Sequence, residues 1–237
     1  MPKNVSQMML LIAYTPRADS NDRGYEQWLR DVDNPFFNSV PGVRLYENWK
    51  VVSNAVGQVP FTHFDLLFVE EEMGFEAPFD NPELQKFASG WNDLWGTHPE
   101  GTFADSGVEI YHCRVVAEPE DVARTPYIVW IPYTPADDAQ GRGYDDWLRA
   151  VDNPFLNAIP EITSYTNWRV EKAAVGEIRF TDFDLMHVDG ADGWDRMVGN
   201  DDMRNFALGW VKEWGRDPDG PMEHNFNVAV AERIAAP

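Results

Sequence analysis

Tyr25-Glu26-Gln27-Trp28-Leu29-Arg30-Asp31-Val32-Asp33-Asn34-Pro35-Phe36 returns as Tyr144-Asp145-Asp146-Trp147-Leu148-Arg149-Ala150-Val151-Asp152-Asn153-Pro154-Phe155, a shift of 144 − 25 = 119 residues. The same shift carries Tyr14-Thr15-Pro16 onto Tyr133-Thr134-Pro135, Asn48-Trp49 onto Asn167-Trp168, and Gly90-Trp91 onto Gly209-Trp210. No gap is needed from Tyr14 to about Gly101 and its counterpart Gly220. Solenoid repeats run from roughly 20 to 50 residues, so this period is that of a whole folding unit. The expected division is 1–118, a linker at 119–125, and 126–237.

Within one unit, Met8–Tyr14 is an apolar run of strand length. Tyr25, Trp28, Leu29 and Val32 recur at helical spacing, and Asn34-Pro35 reads as a fresh helix start. Val43–Val52 and Phe61–Val69 are rich in β-branched and aromatic residues. Leu84, Phe87, Ala88, Trp91, Leu94 and Trp95 predict a helix over 82–96, and Val108–Val115 a last strand. The order is β-α-β-β-α-β, a ferredoxin-like unit. The second half repeats it at Tyr127–Tyr133, Tyr144–Val151, Ile162–Val170, Phe180–Val188, Met203–Trp214 and Phe226–Ala231. A four-stranded sheet covered on one side leaves its other face bare. Two such sheets can cover each other, closing an intramolecular barrel around a cavity. The expected class is α+β.

The chain carries 40 acidic against 19 basic residues, a formal net charge of -21. That disfavours nucleic acid or an anionic membrane as partner. The single cysteine, Cys113, excludes an internal disulfide and fits a reducing, cytoplasmic setting. Met1-Pro2-Lys3-Asn4 and the short run behind it do not read as a signal or membrane segment.

The pattern Tyr25-x-x-Trp28-Leu29-x-x-x-Asp33-x-Pro35, followed by Val40-Pro41-Gly42-Val43, resembles the dimeric α+β barrel superfamily, particularly its EthD-like members. The second half repeats it through Trp147, Asp152, Pro154 and Ile159-Pro160-Glu161-Ile162. The resemblance implies a small-molecule enzyme, but the superfamily spans many reactions. Its usual histidine is replaced here by Asp33 and Asp152.

Those two carboxylates are therefore candidate bases, raised in pKa at the mouth of an aromatic cavity. The competing reading is that each caps the segment beginning at Asn-Pro. Strand alternation puts His63, Asp65 and Leu67 on one face of the third strand, with Asp182, Asp184 and Met186 as their counterparts. That face is expected to line the cavity between the sheets, with Phe64, Leu66 and Phe68 turned to the helices. Tyr46 and Asn48, with Tyr165 and Asn167, are expected to bind substrate from the second strand. Arg23 and Arg142 are candidate carboxylate clamps, against the competing reading that they pair with the many local Asp residues at the surface. His63, which has no histidine counterpart, is the leading acid or base, oriented by Asp65; His112 is next. His187 is expected on the helix face in a structural role. Trp130, where the first half has Leu11, could shape an aromatic pocket.

No metal-site, phosphate-loop or serine-elbow motif occurs. The leading expectation is a cofactor-independent lyase, decarboxylase or isomerase. It would act by acid–base chemistry on a phenolic or polyketide-like aromatic, such as a lignin-derived catabolite. Two alternatives stand beside it. One is a haem enzyme, as in some fused barrels of the superfamily, with His112 or His187 as axial ligand. The other is a non-enzymatic binding or stress protein whose cavity is filled by side chains. Further association into a homo-oligomer is compatible with either.

Overall fold

The computed structural model describes residues 6–237; the Met1–Asn4 start lies outside them. The first half runs β1 (Met8–Tyr14), α1 (Tyr25–Trp28), a π-helical turn (Leu29–Asp33), α2 (Asn34–Ser39), β2 (Val43–Val56), β3 (His63–Val69), α3 (Pro82–Trp95) and β4 (Glu109–Ala117). The second runs β5 (Tyr127–Tyr133), α4 (Tyr144–Trp147), a π-helical turn (Leu148–Asp152), α5 (Asn153–Asn157), β6 (Ile162–Val175), β7 (Asp182–Val188), α6 (Gly193–Val198), α7 (Asp201–Trp214) and β8 (Val228–Ala235).

The expected break before Asn34-Pro35 is a change of helix type. Proline has no N–H, and its ring would strike the carbonyl four residues back. The helix widens instead: the Asn34 N–H reaches the Leu29 carbonyl, five residues back, and Asn153 reaches Leu148 likewise. Asp33 and Asp152 keep right-handed helical backbones and make no capping bond, so the capping reading fails. Each run starts after a glycine with positive φ, Gly24 at 81° and Gly143 at 87°, a conformation that a Cβ would strain.

The sheets have strand orders β4-β1-β3-β2 and β8-β5-β7-β6, and they join at β2–β8 and β4–β6 into one closed barrel. This joining explains why β2 and β6 outrun their expected ends. Ser53 and Asn54 have no strand-like composition, but β8 supplies their ladder partners. Closure removes both sheet edges.

The barrel interior is packed solid with side chains from both halves, including Leu11, Trp49, Phe64, Leu66, Phe68, Trp130, Trp168 and Phe183. Trp130 lies 4.9 Å from Phe64 and 5.7 Å from Phe180, ring centre to ring centre. The expected face assignment is therefore inverted. Phe64, Leu66 and Phe68 look into the barrel, while Leu67, Tyr46 and Tyr14 pack under the helices. Alternation shows which residues share a face, but not which face the partner sheet covers. His187 shares the interior face too, where Thr125 donates its backbone N–H to Nδ1 at 3.2 Å. Beside it Arg124, from the linker, and Arg233 pair with buried Glu47, closing that end of the barrel.

Trp130 is thus core, whatever part of its edge reaches the surface cleft by Arg179. Trp130→Leu, which restores the side chain of the other repeat, should lose about 2 kcal/mol of stability through the void it leaves. Urea unfolding would show this as a lower midpoint with unchanged slope.

Candidate active site

Between sheet and helices the first half holds a small cleft of about 60 Å³. Its walls are apolar and largely aromatic: Phe37, Phe79, Leu84, Phe87, Trp91 and Phe103. On its floor are four polar residues, Tyr14, Asp33, Tyr46 and Asp65. The π-turn delivers Asp33, β1 delivers Tyr14, and adjacent strands β2 and β3 deliver Tyr46 and Asp65. All four are 4% exposed or less.

The Tyr46 hydroxyl lies 2.9 Å from Asp33 Oδ2 and 2.7 Å from Asp65 Oδ2. Asn48 Nδ2 reaches the same Asp33 oxygen at 2.9 Å and Asp65 Oδ1 at 2.9 Å, and Tyr14 donates to Asp65 Oδ1 at 3.2 Å. Asn34 Nδ2 holds Asn48 through its Oδ1 at 3.0 Å, which turns the Asn48 amide toward the carboxyls. A hydroxyl carries one hydrogen, so Tyr46 can donate to only one carboxyl and must accept from the other. The pair is therefore satisfied when it holds a proton.

Burial drives the same result. Desolvation pushes Asp33 up to about 7 against the Tyr46 and Asn48 bonds. Asp65 is raised well above the usual carboxylate range, first by burial and then by the Asp33 charge. Tyr14 and Tyr46, raised by burial, stay neutral donors. Two buried carboxyls joined through one hydroxyl can hold a single proton between them, one acting as acid and the other as base.

The second half repeats the residues and most of their bonds, with Tyr165 held to Asp184 alone of the two carboxyls. Tyr165 donates to Asp184 Oδ2 at 2.6 Å, Tyr133 to Asp184 Oδ1 at 3.1 Å, and Asn167 to Asp152 and Asp184 at 2.9 and 2.8 Å. Burial raises Asp152 to about 7, and burial followed by the Asp152 charge raises Asp184 well above the usual carboxylate range. This cleft also measures about 60 Å³.

The structure thus brings together Asp33, Asp65, Tyr46 and Asn48, and separately Asp152, Asp184, Tyr165 and Asn167. It leaves other candidates outside. His63 is buried behind Tyr14, its ring stacked on that tyrosine at 5.8 Å, with Nδ1 3.0 Å from Thr62 Oγ1. Burial and Lys50 lower it to about 4, and Asp65 spends its bonds elsewhere, so it is no acid–base partner of that carboxyl. In the other half Asp182 takes its place and pairs with Arg169 at 2.8 Å. His112 packs on Phe75 at 4.4 Å and lines neither cleft, nor does His187. Arg23 donates to the Leu94 carbonyl at 2.8 Å, and Arg142 pairs with Glu213 at 3.1 Å. Both end beside Trp95 and Trp214, Arg23 on a free carbonyl of the helix C-terminus and Arg142 between the carboxylates of Asp138 and Glu213. Tyr14 and Tyr133 went unsingled by residue chemistry, although the Tyr-Thr-Pro repeat marks them.

Among the described residues, no helix is long and apolar enough to cross a membrane. Solved structures share this architecture. An anthrone oxidase-like protein aligns with TM-score 0.59 and 10% identity over 100% of this chain and 94% of its own. A monooxygenase candidate from Fusobacterium nucleatum subsp. nucleatum aligns with TM-score 0.61 and 8% identity, covering 97% and 93%. Another from Lactobacillus acidophilus NCFM gives 0.50 and 8%, covering 97% and 94%. At such identities the likeness concerns the fold. No curated protein matches the sequence. The family model for the REDY-like protein HapK matches residues 8–105 and 129–219, one stretch in each half. The chain belongs to the REDY-like HapK family, and its fold is an α+β barrel closed within one chain.

Proposed function

We propose that this protein is a cofactor-independent enzyme that moves a proton on a planar, phenolic or polyketide-like aromatic, as a lyase, decarboxylase or isomerase would. The observation that carries this reading is the Tyr46-bridged carboxyl pair on the floor of an aromatic cleft. A flat, weakly acidic ring system would lie against Phe37, Phe87 and Trp91 once these side chains part to admit it. Asp33 takes the proton from a C–H or O–H of the substrate, and the electron pair moves onto the substrate's oxygen. Protonated Asp65 and the Tyr14 hydroxyl stabilise that oxyanion, then the proton returns at another position or a leaving group departs. The Trp28/Asp33/Pro35 pattern supports an EthD-like placement, and the single buried Cys113 supports a cytoplasmic setting.

Anthrone in D2O is a direct test, because its CH2 is flanked by two rings and acidified by the carbonyl. Catalysed exchange of that CH2, followed by NMR, is expected at least tenfold above buffer; exchange at the buffer rate would reject the reading. The fold neighbours named as an oxidase-like protein and monooxygenase candidates favour a second reading, in which O2 captures the deprotonated carbon. There the CH2 becomes C=O, O2 is consumed one per turnover, and one water leaves. An oxygen electrode run beside the NMR experiment separates the two.

A further inference from the structure

We infer that the chain carries two working sites of the same chemistry and different ring specificity, the first for flat fused-ring systems and the second for smaller rings. This inference rests on the proton-transfer reading above, and it treats 1–118 and 126–237, joined by 119–125, as units that each own a site.

Both sites are complete in residues. The polar residues of the first floor recur in the second residue for residue at the 119 shift, and the bonds to Asp65 and Asp184 agree within about 0.1 Å, although the Tyr46–Asp33 bond has no such counterpart between Tyr165 and Asp152. Keeping two carboxyls buried is costly, and apolar or amide replacements would relieve a half that no longer used them. Elsewhere the halves have drifted: His63 opposes Asp182, His112 opposes Ala231, and Leu11 opposes Trp130. Drift around a floor of unchanged residues points to two sites in use.

The walls are where the clefts part. In the first, Phe37 lies on Tyr46 at 4.4 Å with rings 25° apart, which makes the wall beside the carboxyls an aromatic plate. In the second that position is Leu156, and Leu84 is replaced by Met203. Trp194 on α6 also lines the second cleft, whereas its counterpart Phe75 does not line the first. A plate selects flat extended rings through stacking. Leucine and methionine form an adaptable wall that accepts a smaller or alkyl-bearing ring.

The test uses the full chain, with anthrone (three fused rings) and 2-indanone (two) as exchange probes. Asp33→Asn should lower anthrone exchange at least tenfold and leave 2-indanone within twofold. Asp152→Asn should do the reverse. Loss of both probes in one variant, with no effect of the other, would leave a single working half and overturn the inference while the proposed chemistry stands. Equal partial losses on both probes would show two sites without distinct specificity, which also overturns it. Wild-type chain inert toward both probes would instead reject the chemistry itself. If either Asn variant fails to fold, Phe37→Leu and Leu156→Phe decide: each should shift the anthrone to 2-indanone rate ratio at least threefold, in opposite directions, and an unmoved ratio overturns the inference.

Discussion

Replacing both Asp33 and Asp152 by Asn lowers proton transfer at least about a hundredfold, the usual scale of one acid–base group. Asparagine is nearly the same size, and its oxygen can still accept from Tyr46 and Asn48, so the floor keeps its shape. What it cannot do is take a proton. A loss carried by kcat with KM little changed marks a group used in the transition state. Because burial sets Asp33 and Asp152 near 7, the wild-type rate should rise as pH increases through about 7, where the base becomes ionised. The limb belongs to each carboxyl pair as a unit. Near-wild-type turnover in the double variant, or a flat profile between about pH 5 and 8, would remove these carboxyls from the mechanism.

Stability should follow the opposite course. Asp33 and Asp152 have folded values raised from 3.8 to about 7. Between those limits the folded protein holds protons that the unfolded chain has already released. Their contribution is complete below about pH 4, declines as pH rises, and is lost above about 7. The ceiling is on the order of 4 kcal/mol for each pair, since one pH unit of displacement is about 1.4 kcal/mol. The urea midpoint should therefore rise when pH falls from about 8 to 5. Groups held below their ordinary range act the other way at lower pH; Asp145 beside Arg169 is one. The net charge of -21 also relaxes on acidification, so the double Asn variant is the control. Its midpoint at pH 8 should exceed that of wild type and depend less on pH. A wild-type midpoint that falls steadily from pH 8 to 5 would contradict burial of these carboxyls.

Much of the protein was legible in one dimension. Hydrophobic spacing and the repeat located the strands and the main helices but not α6, and alternation correctly grouped Tyr46 with Asn48 and Asp65 with Leu67. The Asp-Asn-Pro spelling drew attention to Asp33, although the reason lay in the proline. Pro35 forces a π-turn, and that turn aims the carboxylate at Tyr46. His63 stood out because it is unlike its counterpart, yet it is a desolvated ring behind Tyr14. Asymmetry of sequence is as readily produced by repacking as by chemistry. Arg23 was read by charge, and charge does not reveal that a helix end lies within reach.

By itself, the sequence determined the duplicated unit, its β-α-β-β-α-β order and the residues sharing each strand face, because these depend on local spacing and on the internal repeat. Only the tertiary structure decided that the aromatic faces meet inside a filled barrel while the polar faces lie under the helices. That choice depends on which surfaces the other half covers, through the β2–β8 and β4–β6 ladders. It moved the candidate site from between the sheets to two clefts outside them. The same ladders let one chain hold two carboxyl pairs in different walls, which the 119-residue repeat implied only as two copies.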